Sequence, residues 1–125
     1  MIYLDYTANT PADPAVLDAF IAAEQRYIAN PNSTHIAGQQ ARAEMDRVTG
    51  SIAQHLGVQP AEIIYTSGAS EANNLAVKGI AQAARHIGKH IISTELEHSS
   101  VGASLSVLQQ QGYEVDLLRI GRDGR

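Results

Sequence analysis

The chain has 125 residues, about the size of one ordinary domain, of which 44% are hydrophobic and 18% are charged. This composition argues against a disordered or fibrous protein. The formal net charge is −4 and the nine basic residues are scattered along the chain. We therefore expect no nucleic-acid partner and no acidic membrane surface as a partner.

The chain contains no cysteine, which removes disulfides, thiolate metal sites and cysteine nucleophiles from these residues. The first residues lack the basic region and the long apolar run of a signal peptide, and no stretch approaches the ~20 apolar residues of a membrane span. A cytoplasmic location is therefore the default expectation.

After an extended arm at residues 2–11, hydrophobic periodicity and turn residues predict four helices and three strands. The predicted helices run from Pro14 to Ala29, from about His35 to Leu56, from near Ser70 to about His86, and from near Val101 to about Gly112. Asp13 is the predicted amino-terminal cap of the first helix, and Gly57 lies where the second helix is expected to stop. The predicted strands cover residues 63–65, 91–94 and 113–120. From residue 63 onward strands and helices alternate, with connections long enough for parallel crossovers, so the sequence predicts an α/β architecture. Residues 1–60 are expected to hold the arm and the first helices, and residues 61–125 the start of an α/β domain.

The turn between the strand at 63–65 and the following helix is a candidate anion site. The first N–H groups of a helix have no partner inside the helix, and the helix dipole adds partial positive charge there. Gly68 and Ala69 would let a phosphate approach the main chain, and the hydroxyls of Ser67 and Ser70 could bind it or cap the helix. The alternative is that these small residues only make a good turn, and both interpretations stay open at this point.

His98 follows the predicted strand at 91–94 and has acids at Glu95 and Glu97 beside it. Ligands gather at the carboxyl ends of parallel strands, so His98 and the anion turn could belong to one site. A hydrolytic triad is disfavoured, because a serine, a histidine and an acid adjacent in sequence rarely converge on one substrate atom. His98 is expected either to lie beside a ligand, as a flat ring or an acid–base group, or to serve as a surface or capping residue.

The other histidines do not show the spacing of a metal site, so no metal is expected. We interpret them as surface or packing residues, and leave the role of His35 open because it follows the turn at 30–34. These histidines are His35, His55, His86 and His90.

Four segments, taken together and in order, resemble the amino-terminal part of the cysteine desulfurases of the class V aminotransferase group. These are fold type I enzymes that use pyridoxal 5′-phosphate, with helices packed on a mainly parallel sheet. The four segments are residues 3–11, residues 30–35 with Gly38, residues 66–76 with 78–79, and residues 97–101. The third segment is the most specific, and the similarity spans nearly the whole chain.

This resemblance implies roles for individual residues. The implied cofactor-binding residues are Gly68, Ala69, Ser70 and His98. The implied substrate-pocket residues are Ala8, Asn9 and His35. His98 would stack on the pyridine ring and assist proton transfer, which makes it the implied catalytic residue of this chain.

The resemblance also implies a reaction, in which L-cysteine gives L-alanine and an enzyme persulfide that supplies sulfur for iron–sulfur clusters or thio-cofactors. The implied partners are a sulfur-acceptor or scaffold protein and a second subunit in a homodimer. In the family the lysine that links the cofactor, an aspartate, an arginine and the sulfur-accepting cysteine lie further along the chain. We therefore expect this chain to be an amino-terminal fragment of a longer enzyme and to be inactive alone.

Two alternatives remain open from the sequence. Another class V enzyme, such as a selenocysteine lyase or an aminotransferase, would share these segments. A non-catalytic assembly piece is the other, because an incomplete sheet leaves apolar faces and edges that favour self-association.

Overall fold

In the computed structural model, which describes residues 2–121 and 123–124, four α-helices and two β-strands form. The helices are α1 (Pro14–Arg26), α2 (Ile36–Leu56), α3 (Ala69–Ala83) and α4 (Ser99–Gln110). The strands are β1 (His90–Thr94) and β2 (Glu114–Leu118), and a short 3-10 helix covers Pro60–Glu62. The chain divides into two compact units, one running to Ile64 and the other beginning at Tyr65. None of the helices in the described ranges is long and apolar enough to cross a membrane.

In the first unit, α1 begins where the sequence predicts. The Asp13 carboxylate accepts a hydrogen bond of 2.8 Å from the Ala15 N–H, and Pro14 occupies the first turn. The helix ends at Arg26 rather than at Ala29 as predicted, because Tyr27 already leaves the helical region (φ −111°, ψ 59°). The turn that follows is held by the Asn30 side chain, which accepts from the Asn32 N–H at 2.9 Å.

The second helix, α2, matches the predicted range and ends at Gly57 as expected. Gly57 has a φ of 69°, the left-handed conformation that commonly ends a helix. Its N–H donates to the carbonyl oxygens of Ala53 and Gln54. Its buried positions include Ala41 and Ala53, whereas the apolar residues Ile36 and Leu56 are exposed. Hydrophobic periodicity therefore predicted the existence and the range of this helix correctly.

The apolar face of α1 is also exposed. Val16 and Phe20 recur at helical spacing, and both lie more than half exposed, at 60% and 63%. Helical periodicity shows that one face of a helix is apolar, but what covers that face depends on the tertiary structure.

In the second unit, β1 and β2 pair in parallel, with His90 opposite Glu114 and Thr94 opposite Leu118. The connection between them runs through α4, so the predicted parallel crossover is confirmed. The predicted strand at residues 63–65 does not form. The Ile63 N–H donates to the Pro60 carbonyl oxygen at 3.2 Å and closes the 3-10 helix, so it is not available for a strand ladder.

The core of the second unit lies around α4. Leu108 is fully buried and Leu105 is nearly so. The buried Tyr113, just before β2, donates from its hydroxyl to the Ala81 carbonyl oxygen of α3 at 2.8 Å. Helix α3 ends at Ala83 rather than near His86, because the carbonyl oxygen of Ala84 accepts the N–H groups of the following turn. Helices α3 and α4 and strand β2 are thus joined around one apolar centre.

Replacement of Leu108 by alanine is expected to lower the free energy of unfolding of the chain by about 2–5 kcal/mol, because it leaves a cavity in this core. Urea unfolding followed by circular dichroism measures the change. Leu75→Ala is the matched control, since Leu75 is also helical but is 51% exposed, and should change stability by about 0.5 kcal/mol or less. Equal losses in the two variants would contradict this packing.

Candidate functional site

The anion turn expected from the sequence lies at the amino terminus of α3. Gly68 precedes the helix with extended backbone, and the Ala72 N–H donates to its carbonyl oxygen at 3.1 Å. Ala69, Ser70 and Glu71 form the first turn, and their N–H groups have no acceptor within the helix. No side chain of the described residues caps this turn. These donors, together with the helix dipole, provide a site suited to an anion.

The space above this turn is open. A Cβ atom added at Gly68 would meet no atom of the described residues within 4 Å, its two chain neighbours aside. Because the φ of Gly68 is 165°, its backbone is extended and any residue could adopt it. Neither packing nor backbone conformation of this chain therefore requires glycine here, and its small size leaves room for a group that approaches the main chain.

The Ser67 hydroxyl has a partner within the turn. The N–H and the hydroxyl of Ser67 both donate to Glu71 Oε2, each at 2.7 Å, so the hydroxyl is engaged within the turn. These two hydrogen bonds lower the pKa of Glu71, the one from the backbone N–H most strongly. The donors that remain for an anion are the backbone N–H groups of the first turn and the Ser70 hydroxyl.

His98 lies immediately before α4 and caps it. Its Nδ1 atom accepts the Ser100 N–H at 3.2 Å and lies 2.9 Å from Ser100 Oγ. The capping role that the sequence left open is therefore present, while the ring itself is exposed to solvent. Its role beside a ligand stays a prediction.

A side-chain hydrogen bond joins the starts of α3 and α4. Asn73 Nδ2 donates to Ser100 Oγ at 2.9 Å, and Ser104 Oγ donates to the Ser100 carbonyl oxygen at the same distance. Ser100 is only 9% exposed. Since Asn73 lies about one helical turn after Ser70, this bond brings the anion turn and His98 to neighbouring helix ends in one unit.

The other expected site residues lie in the first unit. The N–H groups of Ala8 and Asn9 donate to the Asp5 carbonyl oxygen at 3.1 and 3.3 Å, and form a turn in the arm. His35 caps α2, since its Nδ1 accepts the Gly38 N–H at 3.2 Å. Their place at a substrate pocket stays a prediction.

Gly38 is required by the close approach of the preceding turn to α2. A Cβ atom added there would lie 2.5 Å from the Ser33 carbonyl oxygen and 2.8 Å from that of Asn30. Glycine is therefore needed at this position because a side chain would overlap the backbone of the preceding turn.

Sequence reasoning missed one cluster of titratable groups. His90 Nε2 lies 2.9 Å from Asp116 Oδ2, and ligand-type atoms of His90, Glu114 and Asp116 lie within 4.8 Å of one another. All three side chains are exposed. The two acids are two residues apart on β2 and therefore share one face of the strand. The parallel register with β1 places them beside the histidine. The predicted strand pairing was the one signal that could have shown this cluster.

Comparison with known proteins places this geometry in context. The profile of the aminotransferase class-V family matches residues 2–125. The chain is 42% identical over 124 residues to a human cysteine desulfurase, and this covers 98% of the chain and 27% of that relative. It also resembles the solved structure of a NifS-like protein, with a TM-score of 0.85, 33% identity and coverage of 95% of the chain and 33% of the neighbour. A second solved structure, SspA in complex with cysteine, gives a TM-score of 0.80 and 36% identity, over 93% of the chain and 33% of the neighbour.

These similarities confirm the α/β fold class and span nearly the whole chain, but only part of each relative. The chain spans 27% of the length of the human relative and 33% of each of the two structural neighbours.

The Ser67–Glu71 interaction should make the stability of the chain dependent on pH. Because the pKa of Glu71 is lowered in the folded chain, its contribution to stability is full above the ordinary value of 4.5 and is lost as pH falls through the lowered pKa. Glu71→Gln should therefore give a flatter decline of the urea midpoint on the acidic side. Ser67→Ala keeps the backbone donor and should give an intermediate decline. The same acidic decline in wild type and Glu71→Gln would contradict this assignment, and added salt should weaken the effect because the group is exposed.

Proposed function

Because the chain belongs to the aminotransferase class-V family, we propose that it forms part of the pyridoxal 5′-phosphate site of a cysteine desulfurase. The observation that supports this most directly is the open first turn of α3, with unpartnered N–H donors and space above Gly68. The longer protein of which the chain would be a part converts L-cysteine to L-alanine and leaves the sulfur as a persulfide on an enzyme cysteine.

The residues at the start of α3 fit a phosphate group. The N–H groups of Ala69 and Ser70 and the Ser70 hydroxyl are the donors for it, and Gly68 leaves room beside them. The Glu71 carboxylate is the one negative group in this turn, and both of its hydrogen bonds go to Ser67. The phosphate can therefore be held by main-chain donors while the carboxylate is occupied within the turn.

His98 is the residue of this chain that we propose to contact the cofactor ring. Its capping bonds to Ser100 hold one edge of the imidazole, and His98 is otherwise exposed at the amino terminus of α4. When bound, pyridoxal 5′-phosphate supplies an electron-withdrawing ring that stabilises negative charge on the substrate α-carbon. His98 would orient this ring by stacking and would hold or move a proton through its exposed edge.

The finer parts of the proposal concern substrate, partners and location. L-cysteine is proposed as the substrate because the named relatives include a human cysteine desulfurase and a structural neighbour was solved with cysteine. Ala8, Asn9 and His35 are proposed to border its pocket. A homodimer in the cytoplasm that passes sulfur to an acceptor or scaffold protein, for iron–sulfur clusters or thio-cofactors, completes the proposal.

Binding of the phosphate can be tested on the 125-residue chain with pyridoxamine 5′-phosphate, whose amine cannot condense with surface lysines. The amide resonances of Ala69, Ser70 and Glu71 should shift in a nuclear magnetic resonance titration. Pyridoxamine without the phosphate should leave them unchanged, because the proposed contacts are to the phosphate oxygens. No shift with either compound, or equal shifts with both, would count against the phosphate site.

A matched pair of variants sharpens this titration. Gly68→Ala should weaken binding by about tenfold or more, which corresponds to ~1.4 kcal/mol, since the added methyl group occupies the space left for the phosphate. Gly79 lies on the same helix, and a Cβ atom added there also meets no atom of the described residues beyond the local backbone within 4 Å. Gly79→Ala should therefore bind like wild type. Equal affinity in the two variants would remove Gly68 from the site.

The reaction is tested on the longer protein. With pyridoxal 5′-phosphate and a reducing thiol, it should release alanine and sulfide from L-cysteine in equal amounts, whereas the 125-residue chain should release neither. Parallel assays with selenocysteine and with an amino-group acceptor separate the desulfurase from a selenocysteine lyase and an aminotransferase. Alanine formation only from selenocysteine, or amino transfer without sulfide, would assign the protein to one of those alternatives.

A further inference from the structure

We propose that Asn73 and Ser100 are positioning residues for His98, and that they fix its imidazole as the tautomer with the proton on Nε2. The role of this tautomer rests on the proposed function, in which Nε2 of His98 faces the ligand and carries the proton. The tautomer itself follows from hydrogen-bond geometry in the second unit alone, and can be measured without any cofactor.

The main-chain contact determines the protonation of Nδ1. The Ser100 N–H is a donor in every protonation state, and it points at His98 Nδ1 across 3.2 Å. A proton on Nδ1 would face this N–H directly, so Nδ1 must present a lone pair. In the neutral imidazole the proton then resides on Nε2.

The side-chain contact acts in the same direction. Asn73 Nδ2 donates to Ser100 Oγ at 2.9 Å, which uses an oxygen lone pair and leaves the single hydroxyl proton of Ser100 to be given elsewhere. His98 Nδ1 lies 2.9 Å from this oxygen and accepts that proton in a hydrogen bond. The chain of donors from Asn73 to Ser100 to His98 therefore has one consistent direction.

The burial of Ser100 makes this arrangement specific. Ser100 is 9% exposed, and its carbonyl oxygen is held by the Ser104 hydroxyl at 2.9 Å, so solvent does not readily replace its bonds. The His98 ring is held at Nδ1 by Ser100, and no residue of the described ranges bonds its Nε2. The exposed edge of the ring thus presents an N–H donor in a fixed direction, which suits a group that must stay flat against a ligand and exchange a proton at Nε2.

The chain contains an internal reference with the opposite tautomer. His55 Nδ1 lies 2.8 Å from the Ser51 carbonyl oxygen, which only accepts, so His55 must carry its proton on Nδ1. His55 and His98 are therefore expected to show opposite patterns in one spectrum of the same molecule.

Long-range proton–nitrogen correlation spectra of the 125-residue chain at about pH 9, where imidazole side chains are neutral, test the inference. His98 should show the pattern of a proton on Nε2, and His55 that of a proton on Nδ1. A His98 pattern that matches His55, or that is averaged between the two tautomers, would overturn the inference without the need for any variant.

Three substitutions test the role of Asn73 and Ser100. Asn73→Asp replaces a donor by a carboxylate that competes for the Ser100 hydroxyl proton, so the Nδ1 resonance of His98 should move toward the His55 value. Ser100→Ala should move it in the same direction by a smaller amount, because it removes the hydroxyl donor without offering Nδ1 an acceptor, and Ser100→Thr should keep the wild-type value because it retains the hydroxyl. His55 should not change in any of them. Unchanged His98 resonances in folded Asn73→Asp and Ser100→Ala chains would show that these residues do not position the ring.

The two proposals fail separately. A correct tautomer pattern without amide shifts by pyridoxamine 5′-phosphate would retain the positioning inference and reject the cofactor site. Phosphate-dependent amide shifts with a His98 pattern averaged between the two tautomers would retain the cofactor site and reject the positioning inference.

Discussion

The hydrogen bond between Asn73 and Ser100, 2.9 Å long, is the contact on which the arrangement of the candidate site depends. It links the first part of α3, which carries the anion turn, to the first turn of α4, which carries His98 as its cap. Contacts between residues close in sequence form the start of each helix, but such contacts do not place one helix start beside the other. This partly buried side-chain contact joins the two helix ends directly, and a buried polar group of this kind is costly to leave unpaired.

The apolar centre beneath this contact supports it. Leu108 and Tyr113 are buried where α4 meets the start of β2, and the Tyr113 hydroxyl reaches α3 at the Ala81 carbonyl oxygen. Helix α3 is therefore held to α4 and its neighbours at two places, by a polar contact near its beginning and by the Tyr113 hydroxyl near its end. This two-point attachment gives the exposed donors and the exposed ring a fixed support, which functional groups need for a defined geometry.

The chain also contains much apolar surface that it does not bury, on α1 as well as on β1 and β2. Since it matches 27% of the length of its human relative, we interpret this surface together with the proposed function as that of one part of a larger enzyme. Under the proposed function, the chain would contribute phosphate donors and a histidine that stacks on the cofactor ring. The groups that link the cofactor covalently and accept sulfur would come from the rest of the protein.

The sequence by itself determined the four helices, the strands β1 and β2 and the capping signals, because these depend on spacing and on neighbours a few residues apart. Asp13 and Gly57 act where the sequence placed them. It did not determine whether residues 63–65 form a strand, since a strand exists only with a partner to complete its ladder. Tertiary structure alone paired Asn73 with Ser100, 27 residues apart, and His90 with Asp116, 26 residues apart. The contact between the Ser67 hydroxyl and Glu71 is local, four residues apart, but it too needed the structure, because the direction of a hydroxyl depends on which acceptor the folded backbone brings within reach.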